Sequence, residues 1–417
     1  MNSKSFLAIL VLSALSQIVS AAEEPANAAA STGVPEWGLG PFTRPADAQP
    51  VIKPDPASVF NCPMRKAPVN WEATHAYNPA AVVKDGKVYL LYRADDLPDK
   101  VTRRLTSRLG LAVSEDGIHF KKMPEPVLFP DEDDQKTNEW TGGCEDPRIV
   151  ETEDGTYVLL YTEVPRGQSG GTQLGMATSK DLVHWTKLGP VVVMSPDGKP
   201  VRPPHKSASL VCKVAGDRLI AAKINGRYWL YVGEGSIWLM SSEDLRKWAP
   251  VVGTPLNKLD AKSALLRGSD GPHDNPGILV ARREGKFDSG FPEAGPPALL
   301  TEKGIVFFYN GRNGKEPLND IGVGALAYSG GQALFSTADP SKLLDRTDVP
   351  FIKPELPWEK TGGYKAGTTF IEGLVLFKNQ WFLYYGCADT FVGVATAPVQ
   401  PWQLRAPAGN GTGQTQK

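Results

Sequence analysis

The stretch Asn78-Pro-Ala-Ala-Val-Val-Lys-Asp-Gly-Lys-Val-Tyr-Leu-Leu-Tyr92 decides the fold of this chain of 417 residues. It places Asp-Gly between two short apolar runs, a pattern that strongly predicts a β-hairpin with a tight turn. The pattern returns between Asp146 and Tyr161, again with Asp-Gly at the turn. Further versions of it occupy residues 207–231, 295–309 and 369–385, and each of them ends in a tyrosine.

A second repeat follows the first in three of these units. Ser114–Phe120, Ser179–Trp185 and Ser242–Trp248 align without gaps, each with an aspartate at the third position and an aromatic residue at the seventh. Each follows an apolar run, which predicts a strand, a turn and an aromatic side chain at the outer edge. Units of about four strands repeated in this way predict an all-β fold, a five-bladed β-propeller. Two packed β-sandwiches are the alternative.

The N-terminal residues predict export from the cytoplasm. Lys4 precedes an apolar run from Phe6 to Leu15, and Val19-Ser20-Ala21 has the small residues of a cleavage site. The run is shorter than the roughly 20 residues of a membrane-spanning helix, so we expect a periplasmic or secreted protein with no membrane partner after cleavage. The expected divisions are a signal peptide at 1–21, a linker or extended lead-in at 22–55, the propeller at 56–405 and a flexible tail at 406–417.

Charge and cysteine usage exclude several classes of partner. The 45 basic and 46 acidic residues give a net charge of −1 without a basic stripe, so we do not expect nucleic acid or an anionic membrane as a partner. Cys62, Cys144, Cys212 and Cys387 lack the C-x-x-C spacing of zinc sites. Burial as unpaired thiols is the favoured interpretation, and disulfide pairing stays open. We expect no metal and no organic cofactor.

Polar residues stand where the apolar strands begin and end. In a propeller these strand ends meet at one face, so side chains from separate repeats should converge there. The residues at these positions are Asn78, Glu145, Asp146, His205, Lys206, Ser207 and Glu293 before the first strands, and Arg93, Asp95, Glu163, Glu234, Asn310, Arg312 and Asp389 after the second strands. Exposed strand ends are often polar without any function, but glycine and proline beside Asp146, Glu234 and Glu293 indicate a tightly held backbone. Convergent carboxylates suit glycoside hydrolysis, in which one protonates the leaving oxygen and another activates water or attacks the sugar.

Several motifs resemble those of glycoside hydrolase family 130. Asn78-Pro-Ala-Ala-Val, Tyr92-Arg-Ala-Asp and Ser107-Arg-Leu-Gly-Leu-Ala resemble its first blade, and Gly143-Cys-Glu-Asp-Pro-Arg148 resembles its second. Gly295-Pro-Pro-Ala and Tyr384-Tyr-Gly-Cys-Ala-Asp389 are similar to its fourth and fifth blades. The family contains inverting β-mannosidases, including β-1,2-mannosidases, and mannoside phosphorylases, so the resemblance implies a β-linked mannoside as the substrate.

The resemblance also implies roles for individual residues. It makes Asp146 the proton donor, which in the phosphorylases acts through a substrate hydroxyl. It implies that Asn78, Arg93, Arg108 and Asp389 hold the sugar. Asp95, Arg148, His205 and Lys206 are further substrate-binding candidates at the strand ends and motifs named above.

Two glutamates bear on the choice between hydrolysis and phosphorolysis. Phosphorolysis needs several cationic groups for its anionic nucleophile, whereas inverting hydrolysis needs a carboxylate base. Tyr231-Val-Gly-Glu234 carries an acid where the phosphorylases have basic residues, and Phe291-Pro-Glu293 offers a second acid, as in the hydrolase branch. We therefore predict a hydrolase, with Glu234 and Glu293 as unranked candidates for the base.

The alternatives come from different classes of function. His205 and Lys206 could contribute to an anion site, which keeps a mannoside phosphorylase open. A noncatalytic sugar-binding propeller is the third reading. An arabinanase-like hydrolase has the same architecture, but the Gly143–Arg148 motif speaks against it.

Overall fold

The structure is a computed structural model that describes residues 34–99, 104–166, 171–195, 197–201, 204–251 and 277–407. The predicted signal peptide at 1–21, the first part of the lead-in and most of the tail lie outside the described residues. The described residues all belong to one compact unit. Within them, no helix has the length and the apolar character needed to cross a membrane.

Almost all of the regular structure is β-strand. The first strands are β1 (Phe60–Cys62), β2 (Ala67–Val69), β3 (His75–Lys84), β4 (Lys87–Asp95), β5 (Ser107–Ser114) and β6 (Lys121–Lys122). The next are β7 (Gly143–Glu151), β8 (Tyr157–Val164), β9 (Gln173–Ser179), β10 (Thr186–Pro190), β11 (Val192–Met194) and β12 (Pro200–Val201). They are followed by β13 (Ala208–Ala215), β14 (Arg218–Ala221), β15 (Lys223–Ile224), β16 (Arg227–Val232), β17 (Trp238–Ser242) and β18 (Lys247–Pro250).

The last strands and the helical turns complete the described elements. The strands are β19 (Phe291–Ala294), β20 (Ala298–Thr301), β21 (Gly304–Arg312), β22 (Tyr328–Phe335), β23 (Leu343–Arg346), β24 (Thr369–Phe377), β25 (Gln380–Cys387) and β26 (Phe391–Pro398). Helix is limited, in the described ranges, to one short α-helix, α1 (Lys136–Glu139), and to the 3-10 turns Pro357–Glu359 and Pro401–Leu404.

The longer strands form five antiparallel groups. In chain order these are β3–β4–β5–β6, β7–β8–β9–β10, β13–β16–β17–β18, β20–β21–β22–β23 with β19 also on β21, and β24–β25–β26. The strand pairings predicted from the first repeat are therefore confirmed. The third repeat differs in one respect, because the short strands β14 and β15 stand between its two main strands and pair with them.

The turn residues act as their sequence predicts. The β3–β4 hairpin closes through Asp85 and Gly86, whose φ angles are 51° and 69°. Asn225 and Gly226 close β15–β16 with φ angles of 53° and 78°. Two successive positive φ angles mark the tight turn whose twist matches the flanking strands, and Asp-Gly and Asn-Gly adopt it most readily.

The tyrosine that ends each first-repeat hairpin is a buried anchor. All five are fully buried, and each hydroxyl donates a hydrogen bond. The bonds are Tyr92 to Glu72 at 2.9 Å, Tyr161 to Glu139 at 2.8 Å, Tyr231 to the Pro340 carbonyl at 2.8 Å, Tyr309 to Asp288 at 2.8 Å, and Tyr385 to Glu359 at 2.8 Å. Because a buried hydroxyl needs a partner, each tyrosine is matched by one acceptor, which is a carboxylate in four cases and a backbone carbonyl for Tyr231.

The aspartate of the second repeat closes a turn in each of its three copies. Asp116 Oδ1 accepts hydrogen bonds from the backbone N–H groups of Ile118 and His119, at 2.9 and 2.8 Å. Asp181 and Asp244 bond in the same way to the residues two and three positions later. Aspartate is suited to this position because its short side chain can hold the backbone just ahead of it.

Residues 34–55, which the composition predicted to be a linker or lead-in, pack against the sheets. Val51 and Thr43 form backbone hydrogen bonds with β26, so this segment covers the outer edge of the last group. Leu39 forms two hydrogen bonds of 2.8 Å with Gln332 of β22, through its N–H and its carbonyl. Leu39 and Ile52 are buried, and the segment therefore links two sheets through apolar contacts that its Ala- and Pro-rich composition did not reveal.

The four cysteines are buried and unpaired. This agrees with the interpretation as small core residues. None of them forms a disulfide.

Candidate active site

Irregularities in the first strands direct polar side chains toward one region. The strand β3 contacts both β7 and β24, and β13 pairs with β20. The ladder of hydrogen bonds slips past Asn78 in β3, past Asp146 in β7 and past Glu372 in β24. Such bulges re-aim a side chain and are common beside active sites. Asn78, Asp146 and Ser207 also have left-handed φ angles of 46°, 47° and 58°, a strained conformation that clusters at functional sites.

Asp146 lies at the centre of this region. Its Oδ1 accepts hydrogen bonds from Asn78 Nδ2 at 2.9 Å and from Arg93 Nη1 at 3.1 Å. Its Oδ2 lies 3.5 Å from Lys206 Nζ. The side chain is 3% exposed, so an amide and a guanidinium from the first group, together with the ammonium group just before β13, hold this carboxylate of the second group.

Glu234 and Glu293 form an isolated β-bridge. The Ala294 N–H donates to the Gly233 carbonyl at 3.0 Å, and the Gly235 N–H donates to the Pro292 carbonyl at 2.9 Å. Glu293 is buried and accepts a hydrogen bond of 2.5 Å from the Ser207 hydroxyl. Backbone pairing thus places side by side two acids that stand 59 positions apart in the chain.

Lys206 joins the two glutamates to Asp146. Its Nζ lies 3.1 Å from Glu293 Oε1 and 3.8 Å from Glu234 Oε1, in addition to the contact with Asp146. The distances from Lys206 Nζ also limit how far apart the acids can be. Asp146 Oδ2 lies at most 6.6 Å from Glu293 Oε1 and at most 7.3 Å from Glu234 Oε1. Three carboxylates from separate repeats therefore share one ammonium group.

Arg93 and Asp95 extend the network on the other side of Asp146. Arg93 Nη1 pairs with Glu145 Oε2 at 3.0 Å, and its guanidinium lies over the Tyr77 ring. Asp95 lies behind it, 3.4 Å from Arg93 Nε, and also contacts His75 Nδ1 at 2.9 Å. Arg93 therefore touches the predicted proton donor directly, whereas Asp95 holds Arg93 in place.

Asp389 and Arg148 belong to the same region. Asp389 is half-buried, and in the described part of the chain its carboxylate has no hydrogen-bond or ion-pair partner, although the charges of Arg93, Asp146 and His75 act on it. Arg148 donates to the backbone carbonyl of Asp146 at 3.0 Å and pairs with Glu372 Oε1 at 3.0 Å. The Asp389 carboxylate is thus free to accept hydrogen bonds from a ligand. Arg148 is held in place by the Asp146 carbonyl and by Glu372.

Arg108 lies apart from these residues. Its Nη1 donates to Asp96 Oδ2 at 3.0 Å, and its Nη2 approaches Cys62 Sγ at 3.4 Å. Successive side chains of a strand point to opposite faces, and it is the neighbouring Ser107 that points at Asp95. The structure therefore assigns Arg108 to a buried ion pair, outside the group around Asp146.

His205 and Glu163 complete the positions named from the sequence. His205 Nε2 lies 3.6 Å from Glu234 Oε2, and its ring also contacts the Thr172 hydroxyl. Glu163 accepts a hydrogen bond of 3.1 Å from Gln173 and lies in a separate buried cluster with Glu139 and Tyr161. His205 therefore belongs to the site, and Glu163 belongs to the interior of the second group.

The balance of burial and nearby charge shifts the pKa values of Asp146 and Glu293 in opposite directions. Burial tends to raise the pKa of Asp146, but Lys206 and Arg93 outweigh burial and hold that pKa below its ordinary value. Burial raises the pKa of Glu293, and the charge of Lys206 only partly offsets it. In the free protein a proton is therefore held more readily by Glu293 than by Asp146.

Glu372 and Tyr328 were not named from the sequence, and Glu145 was named only as a strand-end residue without a role in the site. Glu145 contacts Arg93, Glu372 contacts Arg148, and the pKa of Tyr328 responds to the charges of Glu293 and Lys206. For Glu372 a signal existed, because a lone acid interrupts the apolar run Thr369–Phe377 next to a glycine. Tyr328 follows a loop outside the repeat and carried no such signal. In the described ranges no cluster of His, Cys, Asp or Glu has the arrangement of a metal site.

Comparisons with known proteins agree with this architecture. A chain from Thermoanaerobacter sp. (strain X514), a 1,2-β-oligomannan phosphorylase, is 31% identical over 334 residues, which cover 80% of this chain and 93% of that protein. A glycosyl hydrolase structure from Bacteroides ovatus is 41% identical with a TM-score of 0.76, covering 88% of this chain and 96% of its own. A third structure is 42% identical with a TM-score of 0.76 and covers 89% and 99%. The description of this structure states that the GH130 family of mannoside phosphorylases contains glycoside hydrolases that target β-1,2-mannosidic linkages in Candida mannan.

The family assignment rests on most of the chain. The model of glycoside hydrolase family 130, described as β-1,4-mannooligosaccharide phosphorylase, matches residues 42–401, and this range includes every candidate site residue named above. With its family-like motifs and its convergent acids, this chain belongs to glycoside hydrolase family 130, a family of enzymes that act on β-mannosides.

Proposed function

We propose that the protein is an inverting glycoside hydrolase that cleaves β-mannosidic linkages, with β-1,2 linkages as the first candidates. The observation that carries the proposal is the pairing of Glu234 with Glu293 next to Asp146. The 42% identity to a structure described in terms of β-1,2-mannoside hydrolysis supports the choice of linkage, as does the oligomannan relative.

In this mechanism the acids on the two sides of Lys206 have different roles. Asp146 protonates the leaving oxygen, either directly or through a sugar hydroxyl, while the Glu234–Glu293 pair accepts a proton from the attacking water. Inverting enzymes separate the two carboxyl groups by about 6.5–9.5 Å so that water fits between them. The values of 6.6 and 7.3 Å are upper limits on oxygen–oxygen distances, and they allow a spacing in the lower part of that range.

The charge of the site favours water over phosphate as the nucleophile. Phosphate would have to approach Glu234 and Glu293, which repel an anion, and the nearby Lys206 is already shared among three carboxylates. Arg93 and Arg148 are also paired with acids. A carboxylate that repels phosphate can remove a proton from water, so the same two residues disfavour one reaction and assist the other.

Substrate binding has to change the protonation of the site. The proton donor must carry a proton, yet the cations around Asp146 keep it ionised in the free protein. The contact with Lys206, at 3.5 Å, is the longest of the three that hold the carboxylate. A sugar hydroxyl placed between these two groups would weaken the contact and raise the pKa of Asp146 toward that of a working acid.

The architecture and the location belong to the same proposal. We infer that the five antiparallel groups are the blades of a five-bladed β-propeller, which the repeated buried tyrosines support. The N-terminal sequence supports export to the periplasm or the medium. Phosphorolysis conserves bond energy as a sugar phosphate, which is most useful in the cytoplasm, so export also favours hydrolysis.

A mannoside phosphorylase is the second candidate. It is supported by the phosphorylase relative and by His205 and Lys206, which stand next to each other at the site. In that reading Lys206 and a protonated His205 would hold phosphate, and Glu234 would have to be protonated or turned away.

The experiment that separates the candidates is incubation with β-1,2-mannobiose, with and without inorganic phosphate. We expect mannose to be released at equal rates in both conditions, and none to be released by the Asp146→Asn protein. Strict dependence on phosphate, with mannose 1-phosphate as a product, would replace the hydrolase by the phosphorylase. Binding of the disaccharide without any turnover would indicate a sugar-binding protein.

A further inference from the structure

A second row of side chains lies next to Glu293 on the same face of the fourth group. Phe291, Arg312 and Tyr328 occupy directly opposite positions on β19, β21 and β22. Glu293 and Asn310 form the neighbouring pair, two residues farther along their strands. Residues two apart on a strand point to the same face and lie about 7 Å apart. The row of Phe291, Arg312 and Tyr328 is therefore the next step along the sheet from the catalytic glutamates.

Arg312 differs from the other arginines of the site in its partners. Its Nε donates to the Tyr364 hydroxyl at 3.3 Å, and its guanidinium carbon lies 5.3 Å from the centre of the Phe291 ring. It forms no ion pair with any described residue, whereas Arg93 and Arg148 are both paired with carboxylates. The two Nη groups are thus held in a fixed place by ring stacking and keep their hydrogen-bonding capacity for a ligand.

Tyr328 has an equally fixed ring and an unused hydroxyl. The ring packs edge-on against Phe291 and Tyr364, with centroids 6.0 and 5.5 Å away. Tyr364 itself is fixed by a hydrogen bond of 2.7 Å from its hydroxyl to the Leu326 carbonyl. The Tyr328 hydroxyl has no hydrogen-bond partner in the described ranges, and burial together with the charge of Glu293 raises its pKa. The hydroxyl is therefore unused by the described protein, and the charges of Glu293 and Lys206 act on it.

The row lies on the open side of the site. Toward the interior, Arg148, Glu372 and Asn310 are buried, and Asn310 is bonded through both side-chain atoms to the backbone of Ile371. In the other direction, β21 ends at Arg312 and the chain continues into the loop that precedes Tyr328. If one sugar unit reacts beside Asp146 and Glu293, the next unit toward solvent would lie in front of Arg312 and Tyr328.

We propose that Arg312 and Tyr328 form a subsite for the leaving-group sugar, the pyranose unit attached to the mannosyl unit that reacts. The two Nη groups donate to neighbouring hydroxyls of this unit, and the Tyr328 hydroxyl supplies a further bond. The subsite rests on the proposed function, because it extends the site around Asp146 outward. A neutral sugar is favoured over an anionic ligand since Glu293 stands one step away on the same face.

Binding to catalytically inactive protein tests the subsite without depending on the type of reaction. In an Asp146→Asn background, titration calorimetry measures the Kd of β-1,2-mannobiose, which fills both positions, and of methyl β-mannoside, which fills only the position of the reacting sugar. We expect Arg312→Gln to raise the Kd of the disaccharide by about tenfold or more, as for loss of bonds from a charged donor, and to leave that of the monosaccharide within about twofold. Tyr328→Phe, which keeps the ring packing, should raise the disaccharide Kd by about threefold to tenfold.

Lys315→Gln is the matched control, because it removes an exposed cation from the loop that begins just after Arg312. It should leave both dissociation constants unchanged. The subsite is refuted if Arg312→Gln and Tyr328→Phe leave disaccharide binding intact, or if they weaken both ligands equally. It is also refuted if inorganic phosphate binds to the protein and Arg312→Gln removes only that binding. Failure of both sugars to bind any variant, including Asp146→Asn alone, would instead contradict the proposed function.

Discussion

Replacement of Glu163 by glutamine tests how strongly the interior of the second group penalises a buried charge. Glu163 is fully buried, and its strand partner across β7–β8 is Cys144. Lys187, a cation whose charge also acts on Glu163, is bonded to Glu139 at 2.6 Å. Burial, followed by the charge of Glu139, raises the pKa of Glu163 from 4.5 to about 8. The carboxyl group is therefore neutral in the folded protein where it would be ionised in the unfolded chain.

The direction of the pH effect follows from this difference. Below pH 4.5 the group is protonated in both states and adds no pH dependence, whereas between 4.5 and about 8 only the folded protein keeps the proton. Stability then falls as the pH rises, by about 1.4 kcal/mol per pH unit at most. Over the full window from pH 4.5 to about 8, the loss of folding stability has an upper limit of about 5 kcal/mol. Local relaxation and water penetration should reduce this loss to about 2–3 kcal/mol.

Urea unfolding at pH 5, 6.5 and 8.5 measures the effect in the wild type, in Glu163→Gln and in Glu284→Gln, an exposed control. The stability of Glu163→Gln relative to wild type should rise between pH 5 and pH 8.5 by about 2–3 kcal/mol, because glutamine does not titrate. The control should show no such change. A constant difference between Glu163→Gln and wild type at all three pH values would refute the reasoning, since it would mean that Glu163 ionises normally inside the protein.

Three further predictions concern the catalytic region. Asp146→Asn keeps the shape and the hydrogen bond from Asn78 but removes the proposed proton donor, so turnover of β-1,2-mannobiose should fall by about a hundredfold to ten-thousandfold at unchanged unfolding midpoint, and a smaller loss would assign the acid elsewhere. Lys206→Met removes the largest influence that lowers the pKa of Asp146, so the limb of the kcat/KM pH profile that follows this acid should move to higher pH, and an unmoved profile would contradict the assignment. Asp389→Asn leaves the left-handed backbone acceptable and breaks no hydrogen bond within the described protein, so KM should rise by about tenfold with stability unchanged, and a loss of stability without a change in KM would indicate a structural role.

The sequence predicted the elements of the fold well because hairpins are specified locally. Asp85-Gly86 and Asn225-Gly226 set their own turns through backbone preferences, whatever the rest of the chain does. The lead-in was harder to interpret. Its composition resembles that of a linker, yet Leu39 and Ile52 are buried against sheets formed by residues about 290 and 340 positions later in the chain, and such contacts have no local signature.

The candidate site was partly predictable for a related reason. Strand ends in the repeats correctly brought Asn78, Arg93 and Asp146 together, because equivalent positions of the repeats converge. The pattern does not indicate which face of a strand a residue occupies. Arg108 follows Ser107 by one residue and therefore points away from the site. Glu163 stands near a strand end, as Glu234 does, but its side chain turns into the interior of its own group.

The sequence by itself determined the repeats, their turns, the family and the acids available for chemistry, since each depends on residues close together in the chain. Only the tertiary structure decided which acids share a site and which of them holds a proton. The Asn78–Asp146 contact spans 68 positions and the Ser207–Glu293 contact spans 86, and Lys206 shifts the pKa of acids from two other groups. Electrostatic interactions depend on distances in space, and these distances exist only once the sheets have packed together.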